Sequence, residues 1–209
     1  KKKKKKKRAD LAAALNNLLA APTFASWRRG ETLDVARWMT PIDGRTPATI
    51  VSVAHLHDEE RSLVLGVVLE EVLRWVRGLS GSQRLRALVV FDEVCGFLPL
   101  HPANPPTKRP LVALMKQARA FGVDVGVATQ NPMDLDYRAL GNGGLWCLGR
   151  LQTDADRARV LDGLESGRED ARELGSVLKR LAPRWFVMRD AHASPATTLL
   201  QPRWAMSFL

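Results

Sequence analysis

Ala87-Leu88-Val89-Val90-Phe91-Asp92-Glu93 completes an apolar run, LRALVVF from Leu85, and ends it in two adjacent carboxylates. Such a run, short and rich in apolar and β-branched residues, reads as a buried strand. In an open parallel sheet, ligands lie outside the carboxyl ends of the strands. The order of residues therefore puts Asp92 and Glu93 at a binding edge.

Working outward, the same pattern recurs. Val123–Thr129 (VDVGVAT) predicts another buried strand, followed by Gln130. Leu145–Leu148 predicts a further one, followed by Arg150, and Ala48–Ala54 (ATIVSVA), bounded by Pro47, predicts the earliest. These four strands are expected parallel and adjacent. Between them lie helical stretches: Asp58–Val76 with Asp58 as N-cap and Gly78 as stop, Leu111–Phe121 closed by Gly122, Asp154–Gly163, and Arg168–Leu181 ended by Pro183. Asp10–Ala21 carries Leu11, Leu15, Leu18 and Leu19 on one helical face. Leu98–Pro110 holds five prolines and reads as a loop. Trp185–Met188 and Thr197–Leu200 predict an antiparallel edge ribbon. Strands separated by helices imply βαβ units, hence an α/β fold with a mostly parallel sheet flanked by helices.

The 209 residues are 45% apolar and 26% charged, a globular composition that excludes a fibrous or wholly disordered chain. No apolar run approaches the roughly 18 residues of a membrane helix. The net charge of +10 dissolves on partition: Lys1–Arg8 supply eight of the positive charges, leaving 24 basic against 22 acidic residues. General basicity is therefore no argument for nucleic-acid binding. A local cluster, Lys108, Arg109, Lys116 and Arg119, could meet phosphates or lie on a solvated loop. Cys95 and Cys147 lack metal-ligand spacing and read as buried thiols in a reducing, cytoplasmic setting. His55 and His57 have no third ligand in sequence. Asp134 and Asp136 read as caps of a short helix after Pro132.

Two carboxylates at a strand end suit nucleotide hydrolysis. One orders the hydration shell of Mg²⁺ beside a phosphate, and the other polarises the attacking water. This is the shape of a Walker B element. Gln130, at the end of the next strand, can position water or sense the terminal phosphate through its amide. Arg150 offers a guanidinium fork matched to phosphate oxygens.

The run VVFDEVCGFLP (89–99) and the region from Pro105 to Leu164 resemble the second half of a RecA-type ATPase core of the HerA/FtsK superfamily. Within it, they resemble especially the bacterial ATP-binding proteins related to HerA helicase. The resemblance covers about Ile50–Gly163 and is carried by Ala128-Thr129-Gln130-Asn131-Pro132, Asp134-Leu135-Asp136, Gly149-Arg150-Leu151, Asp154, Asp156 and Val160 in that order. It implies ATP and Mg²⁺ as cofactors and Asp92 as the metal-side aspartate, acting through water. It also implies Glu93 as catalytic base, Gln130 as sensor, Thr129 beside the nucleotide, and an arginine finger from Arg150 or Arg119. Arg150 is preferred because it ends a strand. The partners implied are further copies in a hexameric ring, and DNA.

That superfamily needs a phosphate loop, GxxxxGK[ST], and these residues contain none. Gly141-Asn142-Gly143-Gly144 and Gly78–Gly81 lack the Lys-Ser/Thr pair and read as turns. The expectation is a partial core: a disordered or artefactual basic start at 1–8, a helical and irregular segment at 9–47, and the RecA-like part at 48–209. By itself the chain is expected to turn over no ATP. Alternatives are a secretion or conjugation motor of the same lineage and a degenerate, non-catalytic interaction module.

Overall fold

The computed structural model describes residues 2–22, 29–130, 132–133, 135–136, 141, 143–164 and 168–204, with only the backbone for 2–4, 18 and 168–171. Asn131, Asp134 and Asn142, all named above, lie outside the described residues. The elements in order are α1 (Lys2–Ala20), α2 (Val35–Trp38), α3 (Asp58–Arg77), β1 (Ala87–Phe91), α4 (Lys108–Gln117), a 3-10 turn (Ala118–Phe121), β2 (Val123–Val127), β3 (Leu145–Leu148), α5 (Asp154–Gly163), α6 (Arg168–Arg180), β4 (Phe186–Asp190) and β5 (Thr197–Leu200). The chain is α/β, and β1 pairs with β2 in a parallel two-stranded sheet. It forms two compact units, Lys1–Val89 with Ala103–Val125, and Val90–Pro102 with Gly126–Leu209, so the division falls within both of these strands.

In the first unit α3 is the principal helix. Asp58, Glu59 and Glu60 in its first turn and Arg74 and Arg77 in its last complement the helix dipole. The N-cap is His57, one residue earlier than expected, and its N–H donates to Glu60 Oε2 at 3.3 Å. Val64, Val68, Leu69, Val72, Leu73 and Val76 recur at helical spacing and are buried. Part of this face packs on α4, where Leu111 and Leu114 are fully buried. Arg77 ties the two helices together by donating to Gln117 Oε1 at 3.2 and 3.1 Å.

α4 begins at Lys108, three residues before the expected start, and takes in Pro110. A proline in the first turn sacrifices no helical bond, because the first N–H groups have no intrahelical acceptor. Gly122 ends the following 3-10 turn at φ 74, the left-handed region open to glycine. A Cβ there would stand 2.3 Å from the Arg84 carbonyl oxygen.

Three strand expectations are corrected. Residues 48–54 form no strand and make no ladder among the described residues: Ala54 already lies in a turn, and Ile50 is 90% exposed. Their β-branched composition favours a strand, but a strand also requires a neighbouring edge to pair with. β1 is not buried on both faces: its burial alternates, with Leu88 57% and Val90 66% exposed. β3 belongs to a separate sheet, ordered β3-β4-β5, where Cys147 is opposite Met188 and Met188 opposite Thr198, all antiparallel. The expected C-terminal ribbon is thus present as β4 and β5, and it takes β3 as its third strand. Cys147 is exposed rather than buried, on the outward side of β3.

The second unit's core is Leu174, Leu178 and Leu181 with Val187, packed by Leu148, Leu151, Leu161, Leu164 and Trp185. Thr153 caps α5 by accepting from Asp156 N–H at 3.0 Å. No helix among the described residues is long and apolar enough to cross a membrane.

Candidate functional site

The parallel pairing of β1 and β2 brings their carboxyl ends together within the second unit. Ala128 N–H donates to the Phe91 carbonyl at 3.0 Å, and the Ala128 carbonyl accepts from Val94 N–H at 2.8 Å. One residue of β2's extension is thereby bonded on both sides of Asp92-Glu93. The two acidic residues form a bulge between those bonds, the way a sheet edge re-aims side chains.

Glu93 sits at φ 52, uncommon for a residue with a side chain and costing on the order of 1–3 kcal/mol. Its N–H donates to Asp92 Oδ1 at 3.1 Å, and its Oε1 accepts from Thr129 Oγ1 at 3.1 Å. Flanking the bulge in sequence, the Phe91 and Phe97 rings meet at 5.4 Å in a tilted contact. Val94 and Leu98 are fully buried, and Gly96 at φ 79 turns the chain between them. Asp92 and Glu93, between these apolar residues in sequence, are both exposed.

Asp92, Glu93 and Thr129 are brought together, and exposed Gln130 follows Thr129 at the same strand end. Arg150 is exposed at the end of β3, outside the β1–β2 sheet, and Arg119 lies in the 3-10 turn of the first unit. Asp136 donates its N–H to the Leu98 carbonyl at 3.0 Å beside an isolated bridge between Pro99 and Leu135.

Sequence reasoning missed Arg157. Its side chain is buried, and Nη1 donates to the carbonyls of Leu151 at 2.6 Å and Gln152 at 3.0 Å, while Nη2 pairs with Asp154. The loop that follows Arg150 is therefore wrapped around a guanidinium. The i,i+3 spacing of Asp154 and Arg157 was the available signal.

Magnesium bound beside a nucleotide takes one or two carboxylates, with waters and phosphate oxygens completing its shell. Exposed Asp92 fits that role. No group of three or more His, Cys, Asp or Glu side chains able to cage a metal occurs among the described residues.

The fold is similar to that of the genome packaging NTPase B204 from Sulfolobus turreted icosahedral virus 2. In complex with AMP that protein matches at a TM-score of 0.51 and 14% identity, over 84% of this chain and 73% of its own. In complex with AMPPCP the values are 0.50 and 13%, over 69% and 63%, so the chain spans less than two thirds of that relative's length. The DNA-packaging ATPase B204 from Sulfolobus turreted icosahedral virus matches at 0.52 and 13%, over 75% and 74%. No family model and no curated protein matches the chain. At such identities the likeness establishes the fold.

Proposed function

We propose that these residues form part of the nucleotide-hydrolysing core of a HerA/FtsK-type motor, a homo-oligomeric, hexameric ring that uses ATP to move DNA. The observation that carries the reading is the exposed Asp92-Glu93 bulge, bonded by main chain to the parallel neighbour strand at the edge where α/β sheets hold ligands. The likeness in fold to packaging NTPases supports it.

In this reading Glu93 takes a proton from the water that attacks the γ-phosphorus. As the new P–O bond forms, the β–γ bridging bond breaks, leaving ADP and inorganic phosphate. Asp92 would hold Mg²⁺ through water, and the ion supplies charge neutralisation at the phosphates. Gln130 orients the water, and Arg150 or Arg119 serves a neighbouring subunit's nucleotide. The reading requires a phosphate-binding loop from residues other than these 209.

Glu93→Gln in the full-length protein should leave ATP binding intact and slow hydrolysis by about 10²–10⁴. Mixing that variant with Arg150→Ala or Arg119→Ala subunits should recover activity at interfaces that join an intact base to an intact finger. Unchanged hydrolysis in Glu93→Gln refutes the reading. One observation favours a second reading, a non-catalytic RecA-like interaction module: GxxxxGK[ST] is missing from the sequence. ATP hydrolysis by the full-length protein that Glu93→Gln abolishes excludes it.

A further inference from the structure

We infer that Thr129 is a positioning residue for Glu93, holding the carboxylate through its hydroxyl rather than touching nucleotide. The inference rests on the hydrolysis reading above and goes beyond it by assigning Thr129 a different task from the nucleotide contact expected from sequence.

Three restraints converge on Glu93, all within the second unit. Ala128 fixes the main chain on both flanks of the bulge, Asp92 Oδ1 accepts from the Glu93 N–H, and the hydroxyl of Thr129 donates to Oε1 at 3.1 Å. Without the last of these, an exposed glutamate has several freely rotating side-chain torsions, and a base that wanders is rarely aimed at its water. A threonine suits the task because its β-branch stiffens χ1. Its half-buried setting restrains the hydroxyl further. A donor on one oxygen restrains the carboxylate and leaves acceptor sites on the other oxygen for a proton. Residues 128 and 129 thus divide the work: the first sets the backbone of the dyad and the second sets the side chain of its base.

The two assignments of Thr129 differ kinetically. Removing a hydrogen bond to the nucleotide raises KM, whereas misaiming the base lowers kcat. In the full-length protein, Thr129→Val should lower kcat about tenfold, the size expected for deleting one hydrogen bond to a charged group, and leave KM for ATP within about twofold. Thr129→Ser, which restores the hydroxyl, should recover most of kcat. In a Glu93→Gln background, Thr129→Val should have no further effect. Thr129→Ala serves for the same comparison if the valine variant fails to fold.

A raised KM with unchanged kcat, an unchanged or increased kcat, or a full additional loss in the Glu93→Gln background would each overturn the positioning role. If Glu93→Gln abolishes hydrolysis while Thr129→Val is silent, only this inference falls. If Glu93→Gln itself is silent, or the wild-type protein hydrolyses no ATP, the hydrolysis reading falls and this role falls with it.

Discussion

Gly66 on α3 faces Pro106 so closely that a Cβ on the glycine would stand 2.7 Å from the proline's Cβ and 3.1 Å from its carbonyl carbon. The close approach lies where the proline-rich segment leading into α4 crosses the helix. Neither atom of the proline is the end of a flexible side chain, so the clash has no cheap relief.

Gly66→Ala should therefore destabilise the protein by about 1–3 kcal/mol, the cost of overpacking. Helix propensity alone gives the opposite sign, a gain of up to about 1 kcal/mol. Gly126→Ala, at a β2 position where no atom lies within 4 Å of the added Cβ, is the control and should be nearly neutral. Urea unfolding of both variants checks the pair, and equal midpoints would refute the close approach.

Arg157→Met should destabilise by about 1.5–3 kcal/mol, because it strips a buried charged donor from the carbonyls of Leu151 and Gln152 while keeping the apolar stem. Asp154→Ala should cost no more than about 1 kcal/mol, since that carboxylate is exposed and screened. The comparison locates the value of the guanidinium in the loop carbonyls rather than in the ion pair. Denaturant midpoints measure it, and amide exchange at residues 150–153 should accelerate in the methionine variant alone.

If the protein grips DNA through the cationic residues of α4, Arg109→Ala combined with Lys116→Ala should weaken binding to all DNA sequences alike. The slope of log affinity against log salt should fall by about two, one unit for each phosphate that is no longer neutralised. Fluorescence anisotropy across a salt series reads the slope, and an unchanged value would refute a grip on DNA through α4.

The position of Asp92 and Glu93 was legible in the sequence because they close an apolar run, and a strand's direction dictates which edge its last residues reach. β1, α3, α5, β4 and β5 were legible for a similar local reason, in periodicity, caps and breakers. Pairing was not. Residues 48–54 and Leu145–Leu148 have the composition of extended chain, but composition names no partner, and the structure leaves one unpaired and joins the other to β4. The bond from Thr129 to Glu93 was hidden by a sequence separation of 36. Pro110 misled because a proline breaks a helix interior and is harmless in its first turn.

The two bonds that Ala128 makes around the acidic bulge use only its peptide N–H and carbonyl. Every amino acid except proline carries both groups. Position 128 can consequently accept almost any substitution while the shape of the edge is inherited unchanged, so mutational tolerance at this residue says little about its importance. A saturation scan would find a permissive site with a single forbidden residue, on the extension of β2 that holds the end of β1 in register.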